Sequence, residues 1–189
     1  MRQLRSTAMG RKYEIITDQV AEFIANQPMF FVATAPLGEG GHVNVSPKGA
    51  DSLRVLDPQT VIYADLAGSG AETIAHLRDN GRITILWCSF GPKPRILRIY
   101  GRGEHVLPTN PGFTELAELL PAYKALRSII RIKTERIADS CGFGVPEMEL
   151  VGQRSAMDDW ADRKSPDDLL GYMHEKNTVS IDGLPAWEG

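Results

Sequence analysis

Val61–Trp87 reads VIYADLAGSGAETIAHLRDNGRITILW. An apolar run rich in β-branched and aromatic residues gives way at Ala67 to a glycine-rich turn, and a second such run resumes after Gly81. Between them, Ser69-Gly70-Ala71-Glu72 has capping-box spacing, in which a serine oxygen accepts from the third helical N–H and a glutamate reaches back to the cap. Ile74 and Leu77 share a face with Ala71 and Ala75 beside them, and Gly81 stands where a left-handed residue favours a helix end. The spacing predicts strand, then a helix over 70–80, then strand. Exposed N–H groups at a helix start also suit an anion. The stretch therefore reads either as a phosphate cradle or as a capped helix that needs no ligand.

Upstream, Thr17 predicts the cap of a short helix with Val20, Phe23 and Ile24 on one face, ended by Gln27-Pro28. MFFVAT (Met29–Thr34) and HVNVSP (His42–Pro47) flank the turn-rich APLGEGG as a loose hairpin, and Ser52–Leu66 repeats the scheme around Asp57-Pro58. Downstream come RITILWCSF, a break at Gly91–Pro94, and RILRIYGRGEHVL (Arg95–Leu107), where Gly101 and Gly103 suggest a bend or bulge. Two short helical segments led by Asn110-Pro111 and Pro121 precede a last strand, Ile129–Asp139. Strands in antiparallel succession with helices inserted argue for a small barrel of the mainly β, α+β class rather than a parallel sheet. Beyond Gly144 a helical tail is expected, capped at Ser155 and Ser165-Pro166, with an irregular ending from Lys176.

A length of 189 residues fits one domain, here 1–144 with 145–189 as an extension of it. Lys and Arg number 21 against 24 Asp and Glu, a net charge of -3 that gives no reason to expect a nucleic-acid partner. No apolar run suits a leader or a membrane span, so a cytoplasmic protein is expected, with Cys88 and Cys141 as reduced thiols. Cys141 reads as a small buried residue, or as a reactive thiol if a basic neighbour lowers its pKa. His42, His76, His105 and His174 lack ligand spacing, so no metal is expected, and His76 reads as the exposed i+4 partner of Glu72.

MFFVATAPLGEGGHVNVSPKG (29–49), the run 61–87 and RILRIYGRG, in that order and spacing, resemble the pyridoxamine 5'-phosphate oxidase-like flavoproteins over roughly Asp18 to Leu107. SCGFGVP (140–146) with KNTVSIDGLP (176–185) is similar to a C-terminal extension in one branch of that group. The resemblance implies an antiparallel split β-barrel of the FMN-binding type, a homodimer with FMN at the subunit interface, and a flavin-dependent oxidoreductase acting on a small molecule. It places Lys48 at the end of the first flavin strand, facing substrate. Tyr63 and Ala64 match a tyrosine-threonine pair, so one hydroxyl is lost. Ser69 matches a serine, but Gly70 and Ala71 stand where the family has an arginine-lysine clamp for the FMN phosphate, and the oxidase's C-terminal arginine-leucine-histidine run is absent. Oxidation of pyridoxamine phosphate itself is therefore not expected.

The cofactor-binding residues that follow are Asn44, Ser46, Pro47, Lys48, Tyr63, Ala64, Asp65, Gly68, Ser69, Gly70, Thr73 and Arg98. A cation such as Lys48 beside the flavin would stabilise the anionic reduced ring, although a solvated lysine is the plainer account. Arg98, Tyr100 and Arg102 alternate onto one strand face, either outward or toward the cofactor. Trp160 and Tyr172 read as core or dimer contacts, while the resemblance also allows a tail aromatic to cover the flavin. No side chain stands out as an obligatory acid or base. A non-catalytic flavin-storage protein and a deazaflavin-binding reductase of the same fold are the alternatives.

Overall fold

Residues 10–189 are described by the computed structural model; residues 1–9, part of the stretch searched above for a leader, lie outside them. The strands are β1 (Lys12–Tyr13), β2 (Phe30–Thr34), β3 (Asn44–Lys48), β4 (Leu53–Asp57), β5 (Thr60–Leu66), β6 (Arg82–Cys88), β7 (Ile96–Val106) and β8 (Leu126–Ser140). The helices are α1 (Asp18–Ala25), α2 (Glu72–Asn80), α3 (Phe113–Ala117), α4 (Ala156–Asp162) and α5 (Pro166–Lys176). All strand pairs are antiparallel, in the order β3-β2-β6-β7-β8-β5-β4, with β1 added to β8. β3 and β4 are consecutive in the chain yet end the row at opposite edges, so the sheet curls without closing between them. This is the split barrel that the block order implied.

Inward-facing residues alternate along β2, where Phe30, Val32 and Thr34 are buried, while β5 is buried on both faces from Val61 to Asp65. Phe30 centres the main core, with ring centroids 5.6 Å from Tyr63 and 6.1 Å from Trp87. A second cluster, with Ile62, Ala64, Val106, Leu120 and Ile129, occupies the other face of β5. The expected bulge is real: the β7–β8 register shifts between Tyr100 and Gly101. A Cβ on Gly101 would run into the Lys133 backbone carbonyl and crowd Ile132. Gly101→Ala is expected to destabilise the fold by roughly 1–3 kcal/mol, an overpacking cost that thermal unfolding would measure.

Several local readings are corrected. No helix forms at Pro121; Pro121–Lys124 stay irregular and lead into β8, which begins earlier than expected, at Leu126. The two-residue β1 is too short to leave a periodic signal. Cys141 is exposed, not buried. His76 is fully buried, because α2 is covered by the sheet on one side and by the C-terminal tail on the other. Its Nδ1 lies 2.9 Å from Thr34 Oγ1.

The tail after α5 is irregular, as expected, but tightly docked. Trp187 enters the main core, Arg78 donates to the Ala186 carbonyl at 2.5 Å and to Glu188 at 2.7 Å, and His42 meets Asp182 at 2.6 Å. Ser165 and Asp168 form the capping box that starts α5. Trp160 and Tyr172 stack edge-to-face at 5.1 Å with Lys164 over both rings. Among the described residues no helix is long and apolar enough to cross a membrane.

Candidate cofactor cleft

A cleft of about 430 Å³ opens where β3, the turn after it, the end of β5 and the first turn of α2 meet. Ten of the twelve expected residues line it: Asn44, Ser46, Pro47, Lys48, Ala64, Asp65, Gly68, Ser69, Gly70 and Thr73. Strand alternation explains the first group, since Asn44, Ser46 and Lys48 are half-buried while Val45 and Pro47 point more to solvent. The other two residues lie elsewhere. Tyr63 belongs to the core, fully buried against Phe30, because it alternates with Ala64 along β5. Arg98 does not line the cleft; its guanidinium donates to Ser140 Oγ at 3.0 Å on the outer side of β7.

The polar groups of β3 are already engaged with one another. Asn44 Nδ2 donates to Thr73 Oγ1 at 3.1 Å and to Thr34 Oγ1 at 3.3 Å, and Ser46 Oγ donates to Asn44 Oδ1 at 3.1 Å. This network ends on His76, whose pKa burial lowers despite nearby carboxylates. The imidazole is thus neutral and structural. Lys48 has no carboxylate within ion-pair distance among the described residues, although its charge is felt by Asp65.

Two residues that sequence reasoning passed over shape the cleft most. Arg127, 4 % exposed, donates from Nε to Asp65 at 2.9 Å and from Nη1 to the Gly70 carbonyl at 3.0 Å. Burial alone would raise Asp65, but Arg127, then Lys48, and hydrogen bonds from Arg127 and Ser128 outweigh it and hold the carboxyl below its usual value. The second is Asn177 of the tail, whose Nδ2 donates to the Gly68 carbonyl at 2.8 Å. In a trans peptide the C=O and the following N–H point in opposite directions. Tying the carbonyls of Gly68 and Gly70 to Asn177 and Arg127 therefore points the N–H groups of Ser69 and Ala71 away from those two side chains. Neither N–H has a hydrogen-bond partner among the described residues.

The predicted capping box does not form. α2 starts at Glu72 with Ala71 at the cap and no side-chain capping bond. Its parts are committed elsewhere: the Gly70 carbonyl to Arg127, and the Glu72 carboxylate, folded back over Gly70, to the backbone N–H of Ile181 at 3.3 Å. Ala71 is buried among Ala75, Ala186 and Leu184, so the tail fills the space a lysine would need at this position.

The sequence profile of pyridoxamine 5'-phosphate oxidase matches residues 16–141. The chain is also 35% identical over 191 residues to the pyridoxamine 5'-phosphate oxidase family protein ustO of Aspergillus flavus, covering 92% of this chain and 76% of that one. The chain belongs to the pyridoxamine 5'-phosphate oxidase family. Among solved structures of the same fold, HupZ of Group A Streptococcus is 25% identical with a TM-score of 0.50, covering 65% of this chain and 91% of its own. A Lactobacillus delbrueckii protein described as a candidate pyridoxamine 5'-phosphate oxidase is 16% identical with a TM-score of 0.53, covering 68% and 98%. The match to ustO extends past the family profile into the tail, while the two solved structures cover about two thirds of the chain. Among the described residues no group of three or more His, Cys, Asp and Glu could hold a metal ion.

Proposed function

We propose that the protein is an FMN-dependent oxidoreductase acting on a small molecule, with the cofactor phosphate held by the turn Gly68–Ala71. The observation that carries this reading is the pair of N–H groups of Ser69 and Ala71 at the head of α2, unpartnered among the described residues, in a cleft shared with Lys48. The residues present fit an anionic group. Asp65 is neutralised by Arg127, and Glu72 is occupied by the tail. Hydrogen bonds to charged groups contribute roughly 1.5–3 kcal/mol each, and a helix N-terminus up to about 2 kcal/mol more. Together these offset the loss of the family's basic clamp only in part, so binding is expected to be weaker than with an arginine-lysine pair. When bound, the flavin supplies hydride or electron transfer at its N5. The chain's own residues would bind and orient it: the N–H groups of Ser69 and Ala71 would take the phosphate, and Lys48 would favour negative charge on the flavin.

The same reading places the cofactor at a homodimer interface. β3 is an edge strand in which Val45 is 60% exposed, and Val43 just before it is 70% exposed, a surface that a second copy would cover. Residues 145–189 belong to the same domain as 1–144, and a cytoplasmic location goes with the family reading.

Mass spectrometry of the ligand released on denaturation, with light scattering of the native protein, tests the proposal. FMN and a dimeric mass are expected, together with NADH or NADPH oxidation that depends on the protein. A colourless protein that fails to quench added FMN fluorescence would overturn it. A second reading, non-catalytic flavin storage, draws on the pairing of Asp65 with Arg127 and the burial of His76, which take two titratable groups near the cleft out of proton transfer. It predicts bound FMN without turnover. A released deazaflavin would point to the reductase alternative.

A further inference from the structure

Asn177 is fully buried and its backbone is pinned at both ends. Its N–H donates to Met173 O at 2.8 Å, and its carbonyl accepts from Trp187 N at 2.9 Å. The side chain plays no part in ending α5, since the residue does not adopt the left-handed conformation for which Asn is favoured. Instead Nδ2 spans to the Gly68 carbonyl, and Oδ1 is left without a partner. Burying an amide with one oxygen unpaired is unfavourable by roughly 1–3 kcal/mol, so a merely structural role would be filled better by an apolar residue. Four residues on, Ile181 N engages Glu72, a carboxylate of the cleft that would compete with an anion for the N–H groups of the turn. Ala186 meanwhile packs on Ala71, where the family has the second residue of its clamp.

We propose that Asn177 is a positioning residue for the anion site, and that the C-terminal tail is part of the cofactor site because it aims the Gly68–Ala71 turn. The basic clamp and the docked tail exclude each other at Ala71, and this chain has the tail. The inference rests on the reading that the turn holds a cofactor phosphate.

The test compares FMN with riboflavin, which lacks the phosphate, by fluorescence titration of the wild type and Asn177→Ala, with circular dichroism to show that the variant is folded. FMN affinity is expected to fall at least tenfold in the variant while riboflavin affinity changes less than twofold. Equal loss for both ligands, or no loss for either, overturns the positioning role. If Asn177→Ala does not fold, Asn177→Ser keeps a small polar side chain that falls short of the Gly68 carbonyl, and the same split is expected. A wild type that binds neither flavin would instead remove the proposed function on which the inference depends.

Discussion

Asp65→Ala is expected to lower the stability of the fold by about 3–5 kcal/mol, the usual consequence of removing one partner of a buried ion pair. Arg127 would be left 4 % exposed with a charge that only a carbonyl faces, and the Ser128 hydroxyl would lose its acceptor. Against a typical domain stability of about 5–15 kcal/mol this is a large fraction. Urea denaturation at neutral pH measures it, and a loss below about 1 kcal/mol would show that the pair is not buried as described. The double substitution Asp65→Leu with Arg127→Met removes both charges and should recover most of the stability. It should not recover flavin binding, because nothing then holds the Gly70 carbonyl.

The same carboxylate gives a pH dependence of definite sign. The folded-state pKa of Asp65 lies below its unfolded value of about 3.9. Its contribution is therefore complete above that value and disappears as pH falls through the lower, folded one. His76 acts at higher pH and in the same direction: burial lowers its folded pKa, so stability declines as pH falls below about 6.5, where the unfolded imidazole takes up a proton more readily. In Asp65→Ala the acid limb below about pH 4 should be shallower than in the wild type, while the His76 limb should remain.

These interactions also mark where the sequence stops being legible. The hairpins around β2–β3 and β4–β5, the helix α2 and the bulge at Gly101 all rest on signals within a few residues, and each was readable. So were ten cleft residues, because block order carried them together. Asp65 and Arg127 lie 62 residues apart in separate strands, and only the register Asp65↔Ser128 brings them together. Asp65, the one charge in the apolar run of β5, is the available signal; Arg127 gives none, because β8 carries several charges. The capping box failed for a similar reason: Ser69 and Glu72 have the right local spacing, but Arg127 and Ile181, from distant segments, claim its parts. Nothing local reveals that Asn177 faces Gly68, 109 residues away. His76 was misread because periodicity alone cannot show that a tail covers the second face of α2.

Gly70→Glu is expected to abolish measurable FMN binding while leaving the fold in place. Gly70 is exposed and is not among the residues of positive φ, so a side chain there brings no backbone strain. Its Cβ would meet only the carboxylate end of Glu72, which can swing aside. The stability cost should be about 1 kcal/mol, since solvent screens the two exposed carboxylates and Glu72 gives up only its contact with Ile181 N. The electrostatic effect is far larger. Two unit charges 4 Å apart repel by roughly 4 kcal/mol at an effective dielectric constant of 20, and each 1.4 kcal/mol is about tenfold in affinity. A second carboxylate beside Glu72 should thus weaken FMN by about a thousandfold. Gly70→Gln separates charge from bulk and should cost no more than about tenfold. Gly70→Arg restores the first basic residue of the family's clamp at the one clamp position the tail leaves open, and should tighten FMN beyond the wild type. Isothermal titration of the three variants decides the matter. If Gly70→Glu keeps FMN at wild-type affinity, the turn holds no phosphate, and 68–71 serves only to join β5 to α2.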